Sequence, residues 1–364
     1  KNEDLILKRA FVSRIGYQTL QSFYKLSEDN KEALNWFLND KEALKLYITG
    51  GKVEGSYLQS INVLSKLYKA YKEDLKDFNN GSLYKKMIIS LAISHSQNIK
   101  LWTGGGPASD AVTRYKIYKD LYLNNKLHNN EMFKNLPVEL MRWVMDAQID
   151  DEEIVWLNNH ARKYPRGNSA YNLDPYQYIR YTFGYNYNKS IYYSEENKAK
   201  WNDKYNLENI TYGATGQSKL WMVFEEGAVC GGISKTGTNL NEVFGIPAAV
   251  IGQPGHAAYL VYSQDNQGRG YWNIYNDVSG YTQSEKGERL PLGWGSTNWD
   301  SYYQVSYILL SQAALNDYDN YVKALELNLL ADSYDNLEKK EEKVVEKKEE
   351  KPEKKDDKKK EEKK

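Results

Sequence analysis

Cysteine is nearly absent from this chain: Cys230 stands alone among 364 residues. An intramolecular disulfide is therefore excluded, and so is a zinc site built from thiolates. Histidine is scarce too, with only His95, His128, His160 and His256. No two of them stand at metal-ligand spacing, so neither a metal nor a cofactor is expected. No run of about 18 apolar residues occurs, which leaves nothing to span a bilayer as a helix. Net charge is lacking as well, since Lys+Arg and Asp+Glu both total 49. That balance removes the case for a nucleic-acid partner or a polybasic membrane anchor. The glycine-rich stretches at 104–106 and 231–237 lack the Gly-Lys-Ser/Thr ending of a phosphate loop, and no Gly-x-Ser-x-Gly elbow is present. The stretch SQDNQGRG at 263–270 lacks the acid spacing of a calcium loop. All of these read as turns.

What is abundant is tyrosine, with 32 residues, joined by nine tryptophans and many asparagines. A polar-aromatic surface of this kind suits a protein working outside the cell on glycans or peptides. A codon bias toward Asn, Lys, Tyr and Ile accounts for the same numbers equally well. The chain begins at Lys1 without a charged-then-apolar leader, so a processed piece of a longer multidomain chain is expected. A bacterial secreted or cell-surface setting is the matching expectation.

Three segments are expected. Residues 1–164 read as a helical domain. In the stretch from Ser56 to Leu75, apolar residues fall at Leu58, Ile61, Leu64, Leu67, Tyr68 and Tyr71, one stripe on a helix. Gly50 and Gly51 stop the helix before it. Ser109 and Asp110 open another, and Pro137 fits the first position of a third. Four acids from Asp150 to Glu153 sit where a helix would present its positive end. Residues 165–337 read as a mixed segment. Strands are expected at HAAYLVY and GYWNIYND, around a polar hairpin loop, and again at YYQVSYILLS. A short helix, 315–330, closes it. Residues 338–364 hold 13 Lys and 11 acids and nothing to bury, so a disordered tail is expected.

The chemistry concentrates in one stretch. Cys230 is surrounded by Ala228, Gly231 and Gly232, and a helix pattern follows up to Gly245 and Pro247. The thiol thus falls at a helix N-terminus, where dipole and unpaired amides favour a thiolate and can receive an oxyanion. A lone cysteine is otherwise a small buried hydrophobe. His256 follows Gln-Pro-Gly and leads a strand, as a rigidly held general base would. In GYWNIYND, Asn276 and Asp277 both stand where a side chain could meet the imidazole. A carboxylate there would stabilise the imidazolium, and an amide would orient the ring.

A cysteine opening a helix, GIPA at 245–248 leading into a strand, His256-Ala257-Ala258 heading a second, and Asp277-Val278-Ser279 ending a third resemble the transglutaminase-like domain of the papain-like cysteine enzymes. The resemblance covers residues 205–310. It implies an α+β fold in which the helical half packs on a catalytic domain with an antiparallel sheet. It implies Cys230 as nucleophile, His256 as base and Asp277 as third member, with Asn276 the rival. It implies a thioester intermediate and protein, peptide or glycopeptide amides as substrates, the activity being that of a peptidase, an amidase or deamidase, or a transglutaminase. The chain departs from the family at Ala249, where Arg is usual, and at Ala258, where Trp is usual. Gln217, Trp221 and Trp272 are the candidates for the oxyanion hole and substrate contacts. The alternative is an inactive binding module for surface peptides or glycans.

Overall fold

The computed structural model describes residues 2–103, 109–183, 195–207, 219–253 and 256–277. Every described residue belongs to one compact unit. The expected strand at 302–311, the closing helix at 315–330 and the Lys/Glu tail lie outside the described residues.

The described chain is mostly helical, with one small antiparallel sheet. The helices of the first half are α1 (Asn2–Ile15), α2 (Tyr17–Leu26), α3 (Glu28–Asn39), α4 (Lys41–Thr49) and α5 (Tyr57–Tyr71), then α6 (Gly81–Ser94), α7 (Ala111–Leu123), α8 (Asn130–Asn135), α9 (Val138–Met145) and α10 (Asp151–Ala161). Their starts follow from short polar side chains that accept otherwise unpaired amides. Ser27 caps Asn30, Asp40 caps Ala43, Ser56 caps Gln59 and Asp110 caps Thr113. Pro137 sits one residue outside α9, as its cap position. In α5 the buried stripe is Ile61, Leu64 and Leu67, whereas Leu58 is 46 % exposed, so the apolar face starts one turn later than the spacing predicts. Tyr68 and Tyr71 leave the stripe to stack on Trp36 and Tyr115. Helix α6 is buried on nearly every side and forms the centre of this half, packed by α4, α5, α7 and α9.

A buried arginine fixes the turn into α10. Arg114 donates from Nη1 to the carbonyls of Met145 and Ala147, from Nη2 to that of Ile149, and from Nε to Asp151, each at 2.8 Å. Full burial of a guanidinium is tolerable here because its donors are matched by acceptors.

Three more helices follow: α11 (Glu195–Tyr205), α12 (Leu220–Glu226) and α13 (Cys230–Glu242). The sheet is β1 (Ala248–Gln253), β2 (His256–Gln264) and β3 (Gly270–Tyr275), in the order β1-β2-β3 and antiparallel throughout. The polar loop between β2 and β3 closes where Asp265 accepts the amides of Gln267 and Arg269, with Gly268 at φ +75°. Strand β2 is buried from Ala258 to Tyr262, on both faces, rather than on alternate residues. The cause is its central place: Tyr259 lies against α13, and Tyr262 packs on Trp272, which in turn meets Trp143 of α9.

Bonds run across the composition change near residue 165. Asn158 of α10 donates to the Val243 carbonyl at 2.8 Å, Tyr118 of α7 reaches the Glu242 carbonyl at 3.0 Å, and Trp102 donates to Asn239 at 2.7 Å. The C-terminal end of α13 is therefore anchored in the helical layer.

Candidate active site

Helix α13 starts at Cys230, and the backbone before it explains why. Gly227 turns the chain at φ +88°, and a Cβ there would lie 2.6 Å from the Thr182 side chain and 2.8 Å from the Arg180 carbonyl. Both the positive φ and the close approach require glycine. Val229 caps the helix without a side-chain bond, which leaves the first-turn amides open at the positive end of the dipole. Cys230, Ser234, Gly237 and Asn241 recur at helical spacing and form one stripe. That stripe faces the sheet: Ser234 Oγ donates to the Ala257 carbonyl at 2.8 Å, and a Cβ on Gly237 would be 2.4 Å from the Tyr259 ring. The Cys230 side chain is free and half-buried.

His256 opens β2, paired through its backbone with Gln253. Its Nε2 lies 2.5 Å from the backbone carbonyl of Asn276. A carbonyl only accepts, so Nε2 carries a proton and Nδ1 is the nitrogen left to exchange one. Asn276 itself stands at φ +55°, a left-handed conformation that asparagine tolerates better than most residues. Its side-chain amide donates to Ser234 Oγ at 3.0 Å and to the Ala257 carbonyl at 3.2 Å, and lies 3.5 Å from the Cys230 carbonyl. Its Oδ1 accepts from the Tyr176 hydroxyl at 2.8 Å. One asparagine thus ties the start of α13, the start of β2 and the imidazole together.

The other sequence-selected residues fall elsewhere. Asp277 is exposed, and the group held against the imidazole is the Asn276 carbonyl, not a carboxylate. Among the described residues no hydrogen bond joins the Cys230 thiol to the His256 ring. Alternation along β2 gives His256 the parity of Ala258 and not of Tyr259, the residue that meets α13. Gln217 lies outside the described residues. Trp221 is fully buried, with ring centroids 5.7 Å from Trp201 and 5.6 Å from Tyr205. Trp272 is 3 % exposed between Tyr262 and Trp143. Both tryptophans are core residues, closed to a ligand. His95 is buried against Ser94 and Ser109, and His160 is buried in a stack on Trp156.

Ser234 is a contributor that nothing in the sequence singles out, and Tyr176 stands out there only as part of a longer run of tyrosines. Tyr176 belongs to a short turn, Pro175–Gln177, whose entry is capped by Asp174 accepting the Tyr176 amide. Partial burial, with Tyr181, Asp174 and Cys230 nearby, raises its phenol above the usual value. In the sequence it belongs to the tyrosine-rich stretch 171–193, which could line a cleft and grip a peptide or a glycan or simply pack against the neighbouring helices. Beyond Tyr176 and Asn276 opens a cleft of about 550 Å³ that runs past Tyr275 and Tyr259 toward Tyr171 and His128.

No family model, no curated protein and no solved structure matches the chain. No helix among the described residues is long and apolar enough to cross a membrane.

Proposed function

We propose that the protein is a cysteine-dependent enzyme acting on amide bonds, with Cys230 as nucleophile and His256 as its acid and base. The observation that carries this reading is the Asn276 hub, which holds the imidazole by its own carbonyl and braces the helix that begins at Cys230. Pinning Nε2–H leaves Nδ1 as the basic nitrogen, which is what a general base needs. The uncapped first turn of α13 offers amides to an oxyanion. In the reaction the thiol passes its proton to Nδ1 of His256 and its sulfur attacks an amide carbonyl, the C–N bond breaks, and the imidazolium gives that proton to the leaving amine. Water, or a second amine, then displaces the sulfur from the thioester. Asn276 takes the orienting place in this scheme, with Asp277 the rival. A transglutaminase-like, papain-like arrangement of helix and sheet is the fold this chemistry implies.

Thiol reactivity tests the pair. Cys230 should alkylate with iodoacetamide at pH 6 faster than an ordinary thiol of pKa ~8.5, and the His256→Ala variant should lose the advantage. Equal rates in the two proteins would mean that the residues are uncoupled. Incubation with peptides and glycopeptides, with and without an amine donor and read by mass, would separate hydrolysis from transfer.

The missing thiol–imidazole hydrogen bond and the parity of His256 favour a second reading. In it the same framework is a binding module for surface peptides or glycans, and Cys230 is a small helix-start residue without chemistry.

A further inference from the structure

The cleft that starts at Asn276 has a composition that selects a ligand. Two tyrosines present themselves to solvent along it, Tyr176 at 52 % and Tyr275 at 46 % exposure. Both are backed: Tyr275 stacks on Tyr259 with centroids 5.5 Å apart, and the Tyr176 hydroxyl is held by Asn276 at 2.8 Å. At the other end Tyr171 stacks on Phe244 at 4.1 Å and bonds to His128. The rings are therefore fixed platforms whose orientation costs little further entropy when a ligand arrives. The uncharged polar side chains between them are Ser169 and the amides Asn172, Asn241 and Asn276.

Charge in the cleft cancels. Arg166 and Asp174 pair with each other at 2.9 Å, and desolvation lowers His128 from its ordinary value, which disfavours its charged form. An acidic or basic ligand finds no unpaired partner among these groups. Of the described lining residues only Leu173 and Pro175 are aliphatic, so an apolar side chain has no deep pocket to anchor in. Flat apolar faces edged by hydroxyls and amides, with no net charge, match a sugar ring, which has an apolar C–H face and a rim of hydroxyls.

We infer that this cleft binds a neutral oligosaccharide, and, resting on the enzyme reading above, that the amide acted upon belongs to a glycopeptide whose glycan lies along the tyrosines. Asn276 sits at the junction, with one side toward Cys230 and His256 and the other forming the mouth of the cleft.

The test is binding, not turnover, so that it stands apart from the chemistry. The full chain and its Cys230→Ala variant would be titrated by calorimetry at pH 7 with the β-1,4 tetramer of N-acetylglucosamine, and with an uncharged alanine–glycine peptide of similar length. The tetramer should bind both proteins equally and the peptide at least tenfold more weakly. Tyr275→Ala should weaken the tetramer at least tenfold, while Tyr275→Phe, which keeps the face, should stay within threefold. Tyr176→Ala serves the same purpose should the Tyr275→Ala protein fail to fold. No binding of the tetramer, binding indifferent to loss of these rings, or preference for the peptide would each overturn the inference. The alkylation result for Cys230 is independent of all three.

Discussion

Replacing Asn276 with alanine removes three well-formed hydrogen bonds at once: those to Ser234 and Ala257 at 3.0 and 3.2 Å, and the one from Tyr176 at 2.8 Å. Each is worth on the order of 1 kcal/mol net at a half-buried position. Alanine would also have to hold φ +55° without a polar side chain to favour it, at roughly 1 kcal/mol more. The expected loss is therefore about 2–4 kcal/mol. Two further substitutions separate the causes. Asn276→Gly relieves the backbone strain but not the lost bonds, and should recover only about 0.5–1 kcal/mol relative to alanine. Asn276→Asp keeps the acceptor for Tyr176 but sets a carboxylate against the Ala257 and Cys230 carbonyls, so it should also destabilise. Urea unfolding followed by tryptophan fluorescence reads these differences. All three variants should slow alkylation of Cys230 as well, because losing the side-chain brace between α13 and β2 lets the backbone carbonyl at 276, which each of them keeps, shift off the imidazole. An alanine variant within about 0.5 kcal/mol of the parent, with unchanged thiol reactivity, would refute the hub.

The glycines of α13 give a paired contrast: Gly237→Ala places a Cβ 2.4 Å from the Tyr259 ring, while Gly231→Ala meets nothing within 4 Å. The first should cost about 1–3 kcal/mol by overpacking, and the second should be neutral or stabilising by up to about 1 kcal/mol, as thermal melts would show. Glu139 carries a pH dependence. Burial raises its carboxyl from 4.5 to about 7, and one of its oxygens has no hydrogen-bond partner among the described residues. Because the folded pKa lies above the unfolded one, its contribution is full below pH 4.5 and is lost as pH rises through 7. Glu139→Gln should therefore gain on the parent by about 2–3 kcal/mol between pH 4.5 and 8, and a constant difference in urea midpoint across that range would contradict the assignment.

Much of the helical half was legible because its signals are local. Asp110 and the 3-and-4 spacing of Ile61, Leu64 and Leu67 depend only on neighbours within a turn or two. The hairpin of β2 and β3 was legible for the same reason, through its polar loop and the two apolar runs beside it. Residues that can stack on distant rings were harder to read. Tyr68 and Tyr71 continue the α5 stripe in the sequence, yet they turn to Trp36 and Tyr115, contacts that no spacing rule contains.

For the candidate site the division is sharper. The sequence by itself determined that any nucleophilic thiol is Cys230, since there is no other, and that it falls where a helix begins. It also marked His256 at a strand head and Asn276 or Asp277 at a strand end. Only the tertiary structure decided which of these meet. It set the Asn276 carbonyl on the imidazole, left Asp277 exposed, and withdrew Trp221 and Trp272 into the core. It also brought Tyr176 to Asn276, across 100 positions of chain. The physical reason is that composition and period report how a residue relates to its own helix or strand. Pairing between elements depends instead on register, twist and the shape of the packed faces, which emerge only when the whole core closes.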